Sequence, residues 1–162
     1  MIERRWYAVQ CKAMESFRAA ENLQNQGFDV FHPFIQVEKI RSGKLKLVDE
    51  PLFPYYLFIH LNDVTDNWRP IRSTRGVLKL VSFGSAPLQI PADLIEQLKR
   101  RVHPKPENLF KAGDQVLIDE GPFKGLKAIF ATKKGDERVI LLLNILQSQQ
   151  RIEVATRSVR PL

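Results

Sequence analysis

Short apolar segments separated by turn residues fill most of the first hundred positions of the chain. Segments rich in aromatic and β-branched side chains favour strands. The segments predicted to be strands are 5–11, 28–40 with an interruption at Pro33, 55–61 and 77–84. The Ser42-Gly43 pair follows the second segment and precedes another strand-like stretch, which indicates a β-hairpin.

A first helix is predicted between the first two strands. Phe17, Ala20 and Leu23 give it a modest apolar face. Gly27 suits the position just beyond the end of this helix, where Phe28 would pack back on Leu23.

A second helix is predicted within residues 90–102. Pro91 suits its first helical position, and Lys99 and the two arginines after it suit its C-terminal dipole. Its apolar stripe consists of Leu94, Ile95, Leu98 and Val102.

The most apolar run of the chain, RVILLLNIL at residues 138–146, is ambiguous. Read at a period of two, nearly every residue is apolar, which is typical of a strand buried on both faces. Read at helical spacing, the run gives one stripe made of Val139, Leu142, Leu143 and Leu146. Periodicity alone does not decide between the two.

A stretch with two prolines and little periodicity, residues 103–113, is predicted to be a linker. Residues 1–102 mix strands and helices and are predicted to form an α+β domain. Residues 114–162 form a module near the lower size limit for independent folding, so it needs either a closed barrel or a partner surface.

Charge and composition narrow the class of protein. The 162 residues include 25 Lys and Arg against 18 Asp and Glu, a formal net charge of +7, which fits a nucleic-acid partner without requiring one. No apolar run reaches the length of a membrane span and the N-terminus lacks a signal-peptide pattern, so we expect a cytoplasmic protein with no membrane segment. Cys11 lies in an apolar run and is predicted to be a buried structural thiol.

Candidate catalytic chemistry is sparse. The three histidines lie far apart in sequence and no Cys/His ligand spacing occurs, so we expect no metal and no cofactor. GPFKG at residues 121–125 lacks the Lys-Ser/Thr of a phosphate loop, and no nucleophile elbow is present. We therefore expect a binding protein rather than an enzyme.

Several stretches carry a family resemblance. RWYAVQCK, EPLFPYYLFIHL and RSTRGVLKLVSFG resemble the N-terminal domain of NusG-type transcription elongation factors, and GDQVLIDEGPFKGLKAIF resembles a KOW motif. In the KOW-like loop, Gly121 and Gly125 permit backbone conformations that other residues resist. The resemblance implies a NusG-type N-terminal α/β sandwich domain over 1–102 and a C-terminal KOW domain over 114–162.

Within the family, EPLFPYYLF, STRGV and GDERVILLLNIL are most similar to the specialised RfaH branch. That branch implies a monomer that binds RNA polymerase, the non-template DNA strand at an ops-type element, and ribosomal protein S10, and that suppresses pausing and termination. It also implies that the KOW module is an α-helical hairpin docked on the N-terminal domain in the free chain and a small β-barrel when released. NILQSQQRIEVATRSV departs from the FGRxTPVEL-like strand pair of a general NusG.

The resemblance assigns a DNA-binding surface to the first helix and to the STRG loop. Lys and Arg neutralise phosphates, and Arg, Asn and Gln can read base edges. The ordinary alternative is a solvated helix face. The assigned positions are Lys12, Arg18, Asn22, Asn25, Gln26, Thr74, Arg75 and Gly76.

The resemblance also assigns contacts with RNA polymerase. The clamp helices are expected to bind an apolar pocket lined by Phe53, Tyr56 and Phe58, although alternate aromatic residues are also typical of an ordinary core. The gate loop is expected to contact the exposed stretch formed by Asn67, Trp68 and Arg69, of which Trp68 is equally compatible with the core.

A third set is expected to join the two domains. Glu50 and Arg138 would form a salt bridge, and the ordinary alternative is two exposed charges. The apolar contacts would come from Phe130, Leu142, Leu143 and Leu146. Two other functions stay open: a general NusG-like elongation factor without autoinhibition, and a KOW-containing RNA-binding or ribosome-associated protein.

Overall fold

The computed structural model describes residues 4–62, 67–84, 86–102 and 126–158. They belong to two compact units, Met1–Leu109 and Phe110–Leu162. The predicted linker and the GPFKG loop lie outside the described residues. Among the described residues, no helix combines the length and the apolar character that crossing a bilayer requires.

The first unit contains strands and helices in mixed order. Its strands are β1 (Arg5–Cys11), β2 (Asp29–Phe31), β3 (Phe34–Arg41), β4 (Lys44–Pro51), β5 (Tyr56–Leu61), β6 (Val77–Leu80), β7 (Ser82–Phe83), β8 (Ala86–Pro87) and β9 (Gln89–Ile90). Its helices are α1 (Ser16–Asn25), α2 (Arg69–Ser73) and α3 (Ala92–Val102). The predicted strands at 5–11 and 55–61 and both predicted helices are therefore present.

An antiparallel sheet with the strand order β2-β5-β1-β6 forms the centre of the first unit, and β9 also pairs with β1. In its register, Phe58 of β5 lies opposite both Ala8 of β1 and Phe31 of β2. Because side chains alternate along a strand, the sheet has two distinct faces, and each carries buried residues.

One face of the sheet packs against α1. Tyr7, Val9, Leu57 and Ile59 of the sheet form a buried cluster with Ala19, Ala20 and Leu23 of α1 and with Ile71 of α2. The buried positions of α1 are Ser16, Ala19, Ala20 and Leu23, which recur at intervals of three and four residues. The sequence prediction placed Phe17 on this face, and that was wrong: Phe17 is 44% exposed and its ring lies edge-on to His32.

The other face of the sheet carries a run of aromatic rings. The Phe58 ring stacks on Phe31 with centroids 6.1 Å apart, and Trp6 stacks on His60 at 4.5 Å. The Lys99 ammonium of α3 lies 5.0 Å from the Trp6 ring and 5.6 Å from the Phe31 ring, which puts α3 on this face. The first unit is thus a sheet with helices on both faces.

The C-terminal end of α1 has the predicted geometry. Gly27 has φ of +92°, and its N–H donates to the Gln24 carbonyl at 2.9 Å. The Phe28 N–H donates to the Leu23 carbonyl at 3.2 Å. These two bonds define a Schellman motif, in which Phe28 packs against the cluster that contains Leu23.

The predicted hairpin is formed by β3 and β4. Ser42 and Gly43 both have positive φ, +53° and +77°, as a type I′ turn requires. The register pairs Arg41 with Lys44 and Ile40 with Leu45. The hairpin forms a two-stranded sheet separate from the central one.

Two local predictions differ from the structure, and one short element was not predicted. The single strand predicted over 77–84 is divided into β6 and β7. Up to Val81, whose N–H donates to the Ala8 carbonyl, the segment follows β1, whereas β7 pairs with β8 in a separate two-stranded sheet. Pro91 precedes the first residue of α3, and its carbonyl accepts the N–H of Ile95, so it occupies the N-cap rather than the first helical position. The one-turn helix α2 was not predicted.

The second unit contains two described helices, α4 (Leu126–Ala131) and α5 (Gly135–Ser158). Within α5, the buried side chains include Val139, Leu142 and Leu146, whereas Leu143 is half-buried. The ambiguous run at 138–146 is therefore helical in this structure. Residues 126–131, which continue the KOW-like stretch, are also helical rather than a strand.

Candidate nucleic-acid interface

The loop at residues 74–76 lies directly against the first turns of α1. Gly76 has φ of +92°, and a Cβ there would lie 2.8 Å from the Ala19 nitrogen and 2.9 Å from the Glu15 carbonyl oxygen. The Gly76 carbonyl accepts the Lys12 N–H at 2.9 Å. Only glycine permits both this conformation and this close approach, so the STRG stretch is shaped to fit the helix.

Side chains of the last turns of α1 hold the other end of the loop. The Gln26 amide donates to the Thr74 hydroxyl at 2.8 Å and to the Asn22 carbonyl at 3.1 Å. The Asn22 amide donates to the Arg75 carbonyl at 3.4 Å. Thr74 is only 6% exposed, and its hydroxyl donates to the Pro70 carbonyl at 2.7 Å. The loop is thus attached to both ends of α1.

The eight positions assigned to DNA binding lie along α1, at its N-terminal approach and in this loop, and we call this surface the α1–loop face. Lys12, Arg75 and Asn25 are exposed. Arg18 is also exposed and forms a surface ion pair with Glu15 at 3.1 Å. Thr74 and Gly76 are buried, so their part in the surface is to shape the loop rather than to present a side chain.

The chemistry of the α1–loop face suits an anionic ligand such as a nucleic acid. Arg75 presents a guanidinium with several donors from a held loop, and Lys12 presents an ammonium on the segment bonded to Gly76. Cations of this kind neutralise phosphates, while amide side chains such as that of Asn25 offer donors and acceptors to bases.

The residues assigned to the polymerase clamp helices form an aromatic group in the first unit. Phe53 and Phe58 are buried, with ring centroids 6.1 Å apart in an edge-to-face arrangement. Tyr56, at the start of β5, is half-buried, and burial raises the pKa of its phenol.

The residues assigned to the gate loop do not share one environment. Asn67 and Arg69 are exposed, and the Asn67 carboxamide accepts the Arg69 N–H at 3.1 Å at the start of α2. Trp68 instead packs on the buried cluster of the sheet, with its ring 4.8 Å from Tyr7 and its indole N–H donating to the Asn62 carbonyl at 3.2 Å. Trp68 thus acts as a core residue here.

The residues assigned to the domain junction lie in both units. In the first unit, Glu50 of β4 is half-buried and accepts a hydrogen bond from Lys39 at 3.3 Å. In the second unit, Arg138 is 1% exposed and donates to the Thr132 and Lys133 carbonyls at 2.9 and 3.0 Å. These bonds close the turn between α4 and α5. Of the apolar residues assigned to the junction, the buried ones are Phe130, Leu142 and Leu146.

The β3–β4 hairpin has two chemically different faces, and the sequence pattern alone did not identify it as a candidate surface. Cross-strand partners in a sheet share a face, so one face at the tip of β3–β4 is basic and the other is apolar. The basic face carries Lys39, Arg41, Lys44 and Lys46, and the exposed apolar residues are Ile40, Leu45 and Leu47. The alternation KIRSGKLKL contains this signal, but it shows only once the turn has fixed the register.

Burial shifts the pKa of Cys11 and of His32 in the first unit. Burial raises the pKa of the Cys11 thiol to about 12, which confirms the prediction of a buried structural cysteine. Burial lowers the pKa of His32 to about 4. In the part of the chain that the structure describes, the buried Nε2 atom of His32 has no hydrogen-bond partner, and no group of three or more His, Cys, Asp and Glu residues could hold a metal ion.

Comparisons with known proteins give a consistent family. A family model described as "Transcription termination factor nusG" matches residues 4–99, a range that spans β1 to most of α3 and includes the whole α1–loop face. The "Transcription termination/antitermination protein NusG" of Thermus thermophilus is 30% identical over 140 residues, which cover 73% of this chain and 76% of that protein. The protein of the same name from Campylobacter jejuni is 30% identical over 142 residues, which cover 80% of each.

One solved structure, "Domain interaction in Thermotoga maritima NusG", matches this chain with a TM-score of 0.41 and 19% sequence identity. The similarity covers 60% of this chain and 56% of that chain.

Proposed function

This chain belongs to the NusG family of transcription termination/antitermination factors, and we propose that it binds RNA polymerase during elongation and holds the exposed non-template DNA strand on its α1–loop face. Factors of this family bind RNA polymerase and are not enzymes. The DNA contact is inferred from the family resemblance of these positions together with the chemistry of the face.

The observation that best supports the proposed DNA contact is that the exposed Arg75 side chain projects from a loop held on α1. Its loop is attached to α1 at both ends through Gln26 and Gly76, while the Arg75 side chain is exposed. A cation on a held loop loses little conformational freedom when it binds a phosphate. Lys12 supplies a second exposed cation from the segment bonded to the same loop.

The proposed polymerase surface is the aromatic group of Phe53, Tyr56 and Phe58, which would bind the clamp helices. Phe53 and Phe58 are buried, so the proposal requires that these rings become accessible when polymerase binds. A hydrophobic surface of this kind needs a cover in the free protein. Asn67 and Arg69, both exposed at the start of α2, are the proposed contacts with the gate loop.

The names of the relatives bear on whether the chain is a general elongation factor or a specialist. The relatives described above are all named NusG, and the family model carries the same name. This favours a general NusG-like elongation factor over the RfaH-like specialist that the sequence patterns suggested.

One observation favours the specialist as a second candidate. Residues 126–131 and 135–158 are helical, although the sequence around 113–130 resembles a KOW strand pair. We propose for this candidate that the helices cover the polymerase surface until recruitment at an ops-type element, and that the released module becomes a β-barrel that binds ribosomal protein S10. A buried guanidinium is normally paired with a carboxylate, so Glu50 is the proposed partner of Arg138 across the junction.

Purified RNA polymerase core enzyme tests the main proposal in the absence of RNA. We expect the full chain to co-elute with the enzyme in gel filtration, and Arg69→Ala to weaken this association. A chain that binds RNA but not polymerase would contradict the proposal and favour a KOW-type RNA-binding protein.

The same assay separates the two candidates. Glu50→Ser and Arg138→Ala should increase polymerase binding only if the free chain is autoinhibited. Unchanged binding in both variants would support the general factor and contradict the specialist.

A further inference from the structure

Gln26 occupies the C-cap of α1, and its side chain crosses to the loop 48 positions further along the chain. Its amide nitrogen contacts the Thr74 hydroxyl oxygen at 2.8 Å and the Asn22 carbonyl oxygen at 3.1 Å. The Thr74 hydroxyl gives its single proton to the Pro70 carbonyl at 2.7 Å. Toward Gln26 the hydroxyl is therefore an acceptor.

This network fixes the orientation of the Gln26 amide. The Asn22 carbonyl and the Thr74 hydroxyl both need a donor, so the NH₂ group rather than the oxygen faces them. A primary amide has two N–H donors, and here both are used within the protein. The NH₂ group of Gln26 is therefore occupied within the protein and is not available to a base, which leaves only its Oε1 atom as an acceptor.

The residues next to Arg75 are held on both sides. On one side, Thr74 is held by Gln26, and on the other, Gly76 is packed against Ala19 and bonded to Lys12. The Arg75 carbonyl itself accepts the Asn22 amide. The backbone from which the guanidinium projects is thus held by the neutral side chains of Asn22 and Gln26 and by backbone atoms of α1 and of the segment before it.

We propose that Gln26 is a positioning residue: its NH₂ group holds the Thr74–Gly76 loop so that Arg75 meets a phosphate of single-stranded nucleic acid, and is not used to read a base. This inference rests on the proposed DNA contact of the α1–loop face. It changes the assignment of Gln26 from a direct contact to an indirect one.

The salt dependence of binding distinguishes the two roles. The logarithm of the association constant falls linearly with the logarithm of the salt concentration. Each phosphate contact with a single strand adds about 0.7 to the magnitude of this slope, and the slopes below are given as magnitudes. The loss of a neutral base contact lowers affinity and leaves this slope unchanged, whereas the loss of a positioned cation lowers both. A neutral residue whose removal lowers the slope must act through a charged one.

The experiment measures binding of the full chain to a fluorescent single-stranded DNA of mixed sequence at several salt concentrations. We expect Arg75→Ala to lower the slope by about 0.7. We expect Gln26→Ala to weaken binding about two- to tenfold, as the loss of the one hydrogen bond that holds the loop does, and to shift the slope toward that of Arg75→Ala. In the double variant, Gln26→Ala should then have no further effect on the slope.

Matched variants separate positioning from general damage. Thr74→Val removes the hydroxyl that accepts the hydrogen bond from Gln26 and should lower the slope. Thr74→Ser keeps this hydroxyl and should retain the wild-type slope. Gln24→Ala, at an exposed position of the same helix, should leave both affinity and slope unchanged. Thermal unfolding of each variant reports whether the fold is retained.

The contrary results are distinct. A wild-type slope in Gln26→Ala, with a weakening that depends on one base of the DNA, would overturn the positioning role and leave the DNA face intact. A wild-type slope in Arg75→Ala would mean that the proposed DNA face itself is wrong, and the positioning role would be overturned with it.

Discussion

The α-carbon of Gly76 lies so close to Ala19 that an added Cβ would be 2.8 Å from the Ala19 nitrogen. The partner atom is backbone within a buried helix turn, so it cannot move as the end of a flexible side chain could. Gly76 also has φ of +92°, in the left-handed region that side chains disfavour. Because Gly76 has no side chain, the loop that carries Arg75 can pack directly on α1.

We expect Gly76→Ala to destabilise the protein by about 3 kcal/mol in urea unfolding. About 1–2 kcal/mol comes from the positive φ and the rest from displacement of the loop. Gly27→Ala is the matched control, because Gly27 has the same φ of +92° with nothing within 4 Å of its added Cβ. Equal losses in the two variants would contradict the close contact between the loop and α1.

We expect His32 to make the protein less stable in acid. Burial lowers its folded-state pKa from 6.5 to about 4, so between these values the unfolded chain binds a proton that the folded chain does not. Stability should therefore fall as the pH falls from 6.5 to about 4, by at most about 1.4 kcal/mol per pH unit from this residue.

Comparison with His32→Phe isolates this effect, because all the other side chains are present in both proteins. Urea unfolding at several pH values should give a difference in stability that grows in favour of the variant as the pH falls from 6.5 to about 4 and then becomes constant. A difference that is independent of pH would contradict the burial of a neutral imidazole.

We expect Trp68 to contribute to stability and Arg69 to binding. Trp68→Ala removes a ring that packs on the core cluster and an indole hydrogen bond, and should cost about 3 kcal/mol in unfolding free energy. Arg69→Ala, one residue further along and exposed, should change stability by less than about 0.5 kcal/mol. A stable Trp68→Ala protein would mean that the indole is not part of the core.

We expect the C-terminal segment to change fold when it is separated from the rest of the chain, if the specialist candidate is correct. Burial of Val139, Leu142 and Leu146 is worth roughly 1.5–3 kcal/mol each, and two isolated helices provide too little surface to bury this stripe. A closed barrel built from residues 103–162 would cover the same side chains.

Amide chemical shifts of that segment, alone and within the full chain, provide the measurement. The isolated segment should give strand shifts and a β-type circular dichroism spectrum, and the full chain should give helical shifts over 135–158. Identical shifts in both would exclude fold switching and leave the general factor.

Local signals in the sequence predicted the elements that have strong chemical markers. Ser42-Gly43 predicted the hairpin, and Gly27 with Phe28 predicted the end of α1, because glycine adopts the positive φ that both motifs need without steric cost. The order of the strands in the central sheet depends on long-range pairing and was not predicted. The division of 77–84 follows from such pairing, since Val81 bonds to Ala8.

Other features depend on tertiary context that a one-dimensional pattern does not contain. The helix at 69–73 is one turn long, too short for a periodic signal, and it begins at a proline-containing segment. The run at 138–146 fits both periods, and surrounding contacts decide which is used. Family resemblance identified the residues of the α1–loop face. It did not show that the hydrogen-bonding groups of Gln26 and Thr74 bond to other parts of the protein, which depends on the tertiary structure.

The most direct test of the proposed function compares the affinity of the full chain for two RNA polymerase elongation complexes. One has a complete transcription bubble, and the other lacks the exposed part of the non-template strand. We expect binding to both, tighter to the complete bubble, with the difference reduced by Arg75→Ala. No binding to either complex, or equal binding to both by the wild-type chain, would contradict it.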